Sequence, residues 1–246
     1  LNGLFGINAF SLNGALDQEQ KSYSIFADTT YNVTDQLSIE LGARYAWVKK
    51  NADQFLVPGN VVPRKTADSR GDALSVNRAL DGLFTALNNG VPPHVFTGLE
   101  YSDEFFQPQA VIQFEFRPDT QIFAKYVRGD KAGGFDYFYS GGAGGPTRNG
   151  AQFDSERAES FEAGIKGLIL NRSLDFSLIA FRTTFTNLQA SQFQAVNFVV
   201  TNVGKARTQG IEFDVNYRPI DGLRISASGS YLDAKYLDYP GPVSYT

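Results

Sequence analysis

The chain has no cysteine, no methionine, a single histidine and a single tryptophan among 246 residues. Without cysteine there is no disulfide framework, no thiolate nucleophile and no Cys-based zinc site. One histidine removes multi-histidine metal sites, and its place in a loop removes a Ser/His/Asp arrangement. No run of about 18 apolar residues is present, so no helix is expected to cross a membrane. No signal-peptide pattern is visible, and the chain starts at Leu1, so the expectation is a mature chain or a piece of one. Net charge is −4 with no long basic run, so nothing directs the chain to nucleic acid. What is abundant is aromatic: 21 Phe and 12 Tyr, in a chain that is 42% hydrophobic. That content excludes compositional disorder and favours pleated surfaces and membrane interfaces.

Strict two-residue alternation dominates. Tyr23, Ile25, Ala27, Thr29, Tyr31 and Val33 share one face, with Phe26 an exception on the other. After "NVTDQ" the apolar row is Leu37, Ile39, Leu41, Ala43, Tyr45 and Trp47, opposed by Gln36, Ser38, Glu40 and Arg44. Ala110, Ile112, Phe114 and Phe116 alternate with Gln109, Gln113, Glu115 and Arg117, and Ile211, Phe213, Val215 and Tyr217 with Glu212, Asp214, Asn216 and Arg218. This spacing fits strands far better than helices. About nine are predicted: 3–12, 19–33, 36–49, 104–117, 120–130, 156–170, 173–190, 198–218 and 222–237. Short turns at 32–36, 117–121, 170–173 and 218–222 alternate with long loops at about 50–103 and 131–155 and a shorter connection at 191–197. That is an antiparallel up-and-down meander with short turns at one end and long loops at the other. A short helix near 71–88 is expected inside the first long loop.

Row length argues for a membrane. Leu37 to Trp47 covers roughly 33 Å at about 3.3 Å per residue. A tilt of about 40° projects this to roughly 25 Å, the height of an outer-membrane apolar band. Tyr31, Phe116 and Tyr217 fall beside the short turns, and Tyr45, Trp47, Tyr126, Phe181 and Tyr231 toward the long loops, as two interfacial belts would require. On this reading Leu37, Ile39, Leu41, Tyr45, Trp47, Ile211, Phe213, Val215 and Tyr217 face lipid. Glu40, Arg44, Glu115, Arg117, Glu212, Asp214 and Arg224 face a wet lumen, where they hydrate the interior.

Four blocks, 22–50, 105–135, 155–189 and 200–236, resemble the barrel of TonB-dependent outer-membrane receptors. The most characteristic runs are "NVGKARTQGIE" and "EAGIKG". The resemblance implies a 22-stranded barrel closed around an N-terminal plug. It also implies uptake of a scarce nutrient such as a ferric siderophore, and partnership with the TonB energy-transducing complex. The chain departs from the family in lacking the plug and in ending on "YPGPVSYT". It is therefore expected to be one all-β domain over 1–246, a middle-to-late slice of a larger transmembrane barrel in the bacterial outer membrane, with open edges. A passive porin or smaller barrel is one alternative, and a secreted soluble β-sandwich or adhesin another.

Chemistry-bearing clusters are few. Asp154, Glu156, Glu159 and Glu162 straddle a strand start and are read as solvated carboxylates rather than a catalytic pair. "GGAGG" lacks the Lys-Ser/Thr of a phosphate loop. No catalytic, metal or cofactor site is expected. Ligand contact is assigned instead to the long loops. Phe135, Tyr137, Phe138 and Tyr139 are exposed aromatics among glycines, or else rings packed on neighbouring loops. Lys131 and Arg148 would pair with an anionic ligand, and His94 is read as a solvated loop residue or a ligand contact.

Overall fold

The computed structural model describes residues 11–59, 82, 94–136, 151–194 and 197–239. Ten strands are present: β1 (Ser11–Asn32), β2 (Leu37–Gly59), β3 (His94–Arg117), β4 (Thr120–Lys131), β5 (Gly134–Phe135), β6 (Gln152–Phe153), β7 (Glu156–Ile169), β8 (Leu174–Gln194), β9 (Asn197–Ile220) and β10 (Leu223–Asp238). Eight of them form one antiparallel sheet in the order β1-β2-β3-β4-β7-β8-β9-β10, and β5 and β6 form a separate small hairpin. Consecutive strands pair throughout the large sheet, as in an up-and-down meander, and among the described residues β1 and β10 do not pair, so the barrel is not closed.

The first predicted strand, 3–12, lies outside the described residues except for its last two positions, which belong to β1. The predicted helix near 71–88 also lies outside them, Gly82 excepted. Four strands run well past the ends that alternation suggested. β1 starts at Ser11, β2 continues to Gly59, β3 starts at His94 and β8 continues to Gln194. Above an apolar band both faces of a strand meet water or loops, so pairing persists where alternation fades.

The turns follow from local chemistry. Pro118 and Asp119 (φ 61°) close β3 on β4, and the Asp119 N–H donates to Glu115 Oε1 at 3.1 Å. Leu170, Asn171 and Arg172 all take positive φ in the β7–β8 turn, which Ser173 ties by donating its Oγ–H to the Leu170 carbonyl at 2.6 Å. Gly222 (φ 83°) supplies the left-handed residue of the β9–β10 turn.

Two glycines make room for rings directly across the ladder. A Cβ on Gly164 would lie 3.0 Å from the Phe123 ring and 2.6 Å from the Leu178 carbonyl oxygen. One on Gly210 would lie 3.0 Å from the Phe181 ring and 2.1 Å from the Tyr231 carbonyl oxygen. These glycines belong to the two motifs singled out above, so the motifs have a packing reason. Phe181, expected near an interfacial belt, instead covers Gly210 on the same face as Glu162, the polar side of the sheet.

Candidate functional site

Register assigns the two faces. Tyr31 lies opposite Ile39, Ile39 opposite Ile112, Ile112 opposite Ala124, Ala124 opposite Ala163, Ala163 opposite Ala180, Ala180 opposite Ile211, and Ile211 opposite Tyr231. One apolar face thus runs unbroken across all eight strands. Thr30, Glu40, Lys125 and Glu162 line the other face in matching register. The connection carrying β5 and β6 folds onto this second face, here called inward. Among the described residues no sheet covers the outward one, where Ile25, Leu41, Phe161 and Ile211 remain half or more exposed. A soluble sandwich would bury such a face against a second sheet.

The upper edge of the outward apolar band slides across the strands. On β2 it ends at Trp47, level with Glu104; on β3 at Phe106, two residues along. On β4 it ends at Tyr126, level with Ala110 and four residues beyond Phe106. Phe161 on β7 is level with Tyr126. Ala180 on β8 is level with Ala163, two residues beyond Phe161, and Ile211 and Tyr231 continue that level on β9 and β10. Eight residues of slide over the six strand spacings from β2 to β10 give a slope of roughly 43°, taking about 3.3 Å per residue and 4.8 Å per strand. Transmembrane barrels tilt by about 35–45°.

The predicted lipid-facing residues Leu37, Ile39, Leu41, Tyr45, Trp47, Ile211, Phe213, Val215 and Tyr217 all fall on the outward face, and Glu40, Arg44, Glu115, Glu212 and Asp214 on the inward one. Arg117 and Arg224 sit at strand ends where the register shifts. Inward polar groups pair locally: Gln109 Nε2 donates to Glu40 Oε1 at 3.1 Å, and Lys125 meets Glu162 at 3.7 Å. Asn216 gathers a cluster, accepting from Arg224 and from Ser226 at 2.8 Å each and donating to Asp214 at 2.7 Å. The acidic cluster near the start of β7 is split: Glu156 and Glu162 face inward, while Glu159 faces outward and accepts the Tyr126 hydroxyl at 2.9 Å. Two opposed catalytic carboxylates are not formed there.

The buried residues gather at the long-loop end. Ala52, Leu99, Tyr101 and Phe135 form one cluster, and Ala46, Val48 and Phe105 another, both joined by Ala132. Phe135, read as either an exposed loop ring or one packed on its neighbours, is 5% exposed and fixed in this core, because residues 132–136 fold back onto β2 and β3. His94, expected as a solvated loop residue, opens β3, is buried, and stacks on Phe96 at 4.9 Å between ring centroids. Tyr137, Phe138, Tyr139 and Arg148 lie outside the described residues.

A set of polar side chains that the sequence did not single out pins the connection. Gln54 Nε2 donates to the Asp136 carbonyl at 2.9 Å, and the Asp136 carboxylate accepts the Val200 N–H. Gln189 donates to the carbonyls of Ala132 (3.1 Å) and Asp154 (3.0 Å). Asn202, level with Gln189, donates to Asp154 and Asn187 carbonyls at 2.9 Å and accepts the Asp154 N–H at 2.7 Å. The Gly133 N–H donates to Tyr101 Oη at 2.9 Å. Gln54 stands on β2 and Val200 on β9, five strand spacings or roughly 24 Å apart in a flat sheet. One residue reaches both because the sheet curls and because Asn187 (φ 53°) and Gly204 (φ 20°), facing each other across β8 and β9, bend that hairpin's tip.

Lys131 ends β4 on the inward side, beside Lys50. Both Lys50 and Tyr101 stand above the apolar band, outside its span. Burial, then the charge of Lys131, lowers the Lys50 pKa. Burial pushes the Tyr101 phenol up to about 12, so it stays a neutral donor to Asp103 at 2.9 Å. Two cations therefore border the pinned connection. Among the described residues no group of three or more His, Asp or Glu side chains is placed to hold a metal ion.

Comparison with known proteins places this geometry. The family model "TonB dependent receptor-like, beta-barrel" matches residues 2–246. A probable TonB-dependent siderophore receptor of Acinetobacter baumannii, PiuA, is 24% identical over 89% of this chain and 24% of its own length. The ferric-pyoverdine M114 receptor PbuA of a Pseudomonas strain is 24% identical over 93% of this chain and 23% of its own length. The crystal structure of the ferric yersiniabactin uptake receptor FyuA from Yersinia pestis superposes with a TM-score of 0.66 at 15% identity, over 92% of this chain and 28% of that one. The chain spans about a quarter of the length of the curated relatives it matches.

Proposed function

The chain belongs to the TonB-dependent receptor-like β-barrel family, and from that premise we propose that it forms wall and loops of an outer-membrane receptor for a scarce nutrient, of which a ferric siderophore is the model. The outward apolar face meets lipid, the inward polar face lines the lumen, and the long-loop end faces the medium and meets the ligand. Passage through the lumen is driven by the TonB complex acting on parts of the protein outside this stretch, and no covalent step is involved. Lys50 and Lys131 supply positive charge at the mouth, suited to an anionic chelate.

The observation that carries this reading is the outward apolar band, unbroken in register over eight strands and sloping at roughly the tilt of a transmembrane barrel. The direct test uses the full-length protein in its own cells under iron limitation. It should fractionate with outer membranes, run as a heat-modifiable species, and support uptake of a ferric siderophore that stops when the TonB complex is deleted. Recovery in the soluble fraction would defeat the membrane placement. Uptake indifferent to the TonB complex, together with a large open conductance, would favour a passive porin.

A further inference from the structure

Beyond the upper edge of the apolar band, the outward face carries charge unevenly. On β1 to β3, Lys21 and Lys49 stand against Asp17, Glu19, Asp53, Glu100 and Glu104, so this side is acidic. From β4 to β10 the outward residues are Arg128, Arg157, Arg182, Lys205, Arg207 and Lys235 against Asp130, Glu159 and Asp233. Four neighbouring strands of the sheet each aim an arginine outward: Arg182 lies opposite Phe161 of the band, Arg128 two residues beyond Tyr126, and Arg157 and Arg207 four residues beyond Phe161 and Ile211. Part of this charge is neutralised. Asp130, its side chain 3% exposed, takes both Arg128 (3.3 Å) and Arg157 (3.1 Å), and Asp233 meets Arg207 at 3.5 Å. Arg182 is not: it is exposed, its cross-strand neighbours are Phe161 and Gln209, and among the described residues it meets no carboxylate within 4.0 Å.

Directly below Arg182 the outward face holds a groove of about 620 Å³. Ala124, Ala163 and Ala180 floor it, and Ile112 and Phe161 wall it. Because the ladder rows slope with the strands, the groove climbs from Ile39 and Ile112 toward β8 and the long-loop end, where Arg182 is one of its lining residues.

We propose that this face binds a phosphate-bearing lipid, its phosphate on Arg182 and the adjoining arginines and one acyl chain along the groove. Guanidinium suits phosphate because its fork donates two parallel hydrogen bonds and is weakly hydrated. The groove offers the chain an apolar bed, and its slope brings the head to the charge. The lipid would dock preferentially on the β4–β9 sector, since the β1–β3 sector repels it. The proposal rests on the outward face meeting lipid, which is tested separately at the end of the Discussion.

The test uses full-length protein extracted from outer membranes in detergent, with phosphatidylglycerol as the probe and native mass spectrometry as the readout. Arg182→Glu, which reverses the charge, and Ala180→Leu, which fills the groove, should each weaken binding by about tenfold or more, equivalent to about 1.4 kcal/mol. Lys21→Glu, on the acidic sector, should leave binding unchanged. Glycerol phosphate, the head without chains, should fail to displace the lipid. Arg182→Gln and Ala163→Leu replace either variant that does not run as an assembled, heat-modifiable barrel. Wild-type binding by both Arg182→Glu and Ala180→Leu overturns the site. So does loss in Lys21→Glu equal to that in Arg182→Glu, or displacement by glycerol phosphate, which would reduce the site to a free-phosphate patch.

Discussion

Gln54 and Asp136 are 82 positions apart, yet the Gln54 side-chain amide donates to the Asp136 carbonyl at 2.9 Å in a buried bond on the inward face. The same residue's carboxylate takes the Val200 N–H, so Asp136 joins β2 to β9 across the curl of the sheet. The connection is a strut as well as a loop.

Asp136→Ala should therefore loosen that strut without dissolving the barrel. Losing the carboxylate leaves the half-buried Val200 N–H unsatisfied, a cost of about 1–3 kcal/mol. Faster hydrogen exchange at 132–136 and 197–203, with heat-modifiable migration unchanged, is the expected result.

Gly210→Ala should assemble poorly, because the added methyl would meet the Tyr231 carbonyl oxygen at 2.1 Å, and a ladder carbonyl has nowhere to move. Gly129→Ala, where a Cβ meets nothing within 4 Å, should assemble as wild type. The fraction of heat-modifiable protein in isolated outer membranes distinguishes the two.

Ile39→Arg and Phe213→Arg place a charge on the outward band, at a cost of about 2–4 kcal/mol near the bilayer midplane. Both should lower the denaturant midpoint of refolding into lipid vesicles. Glu212→Ala, adjacent to Phe213 but on the inward face, should change it little.

Phe135→Ala should act on the strut and not only on ligand contact. It empties a cluster with Ala52, Leu99 and Tyr101, a truncation that typically costs about 3–5 kcal/mol in a closed core and less in one that can collapse. Protease sensitivity of the β4–β7 connection should rise even without ligand.

The outward rows were legible in the sequence because lipid imposes one requirement on every second residue, from Leu37 to Trp47 and from Ile211 to Tyr217. Above the band that requirement ends, so alternation gave no sign that β2 reaches Gly59 or that His94 opens β3. The strut was illegible for another reason. Gln54, Asp136, Gln189 and Asn202 are ordinary polar residues until the fold brings them together, and their bonds go mostly to main-chain atoms, which carry no sequence signal. Phe135 looked like a loop aromatic because its partners Leu99 and Tyr101 lay in what read as a separate loop.

The central claim is that the two faces of this sheet meet two different media. Nitroxide labels at introduced cysteines 211 to 215, one at a time in the full-length protein in native outer membranes, measure it directly. Accessibility to molecular oxygen should peak at 211, 213 and 215, and accessibility to a water-soluble nickel chelate at 212 and 214. A profile without two-residue alternation, or one with oxygen highest at 212 and 214, would contradict the account.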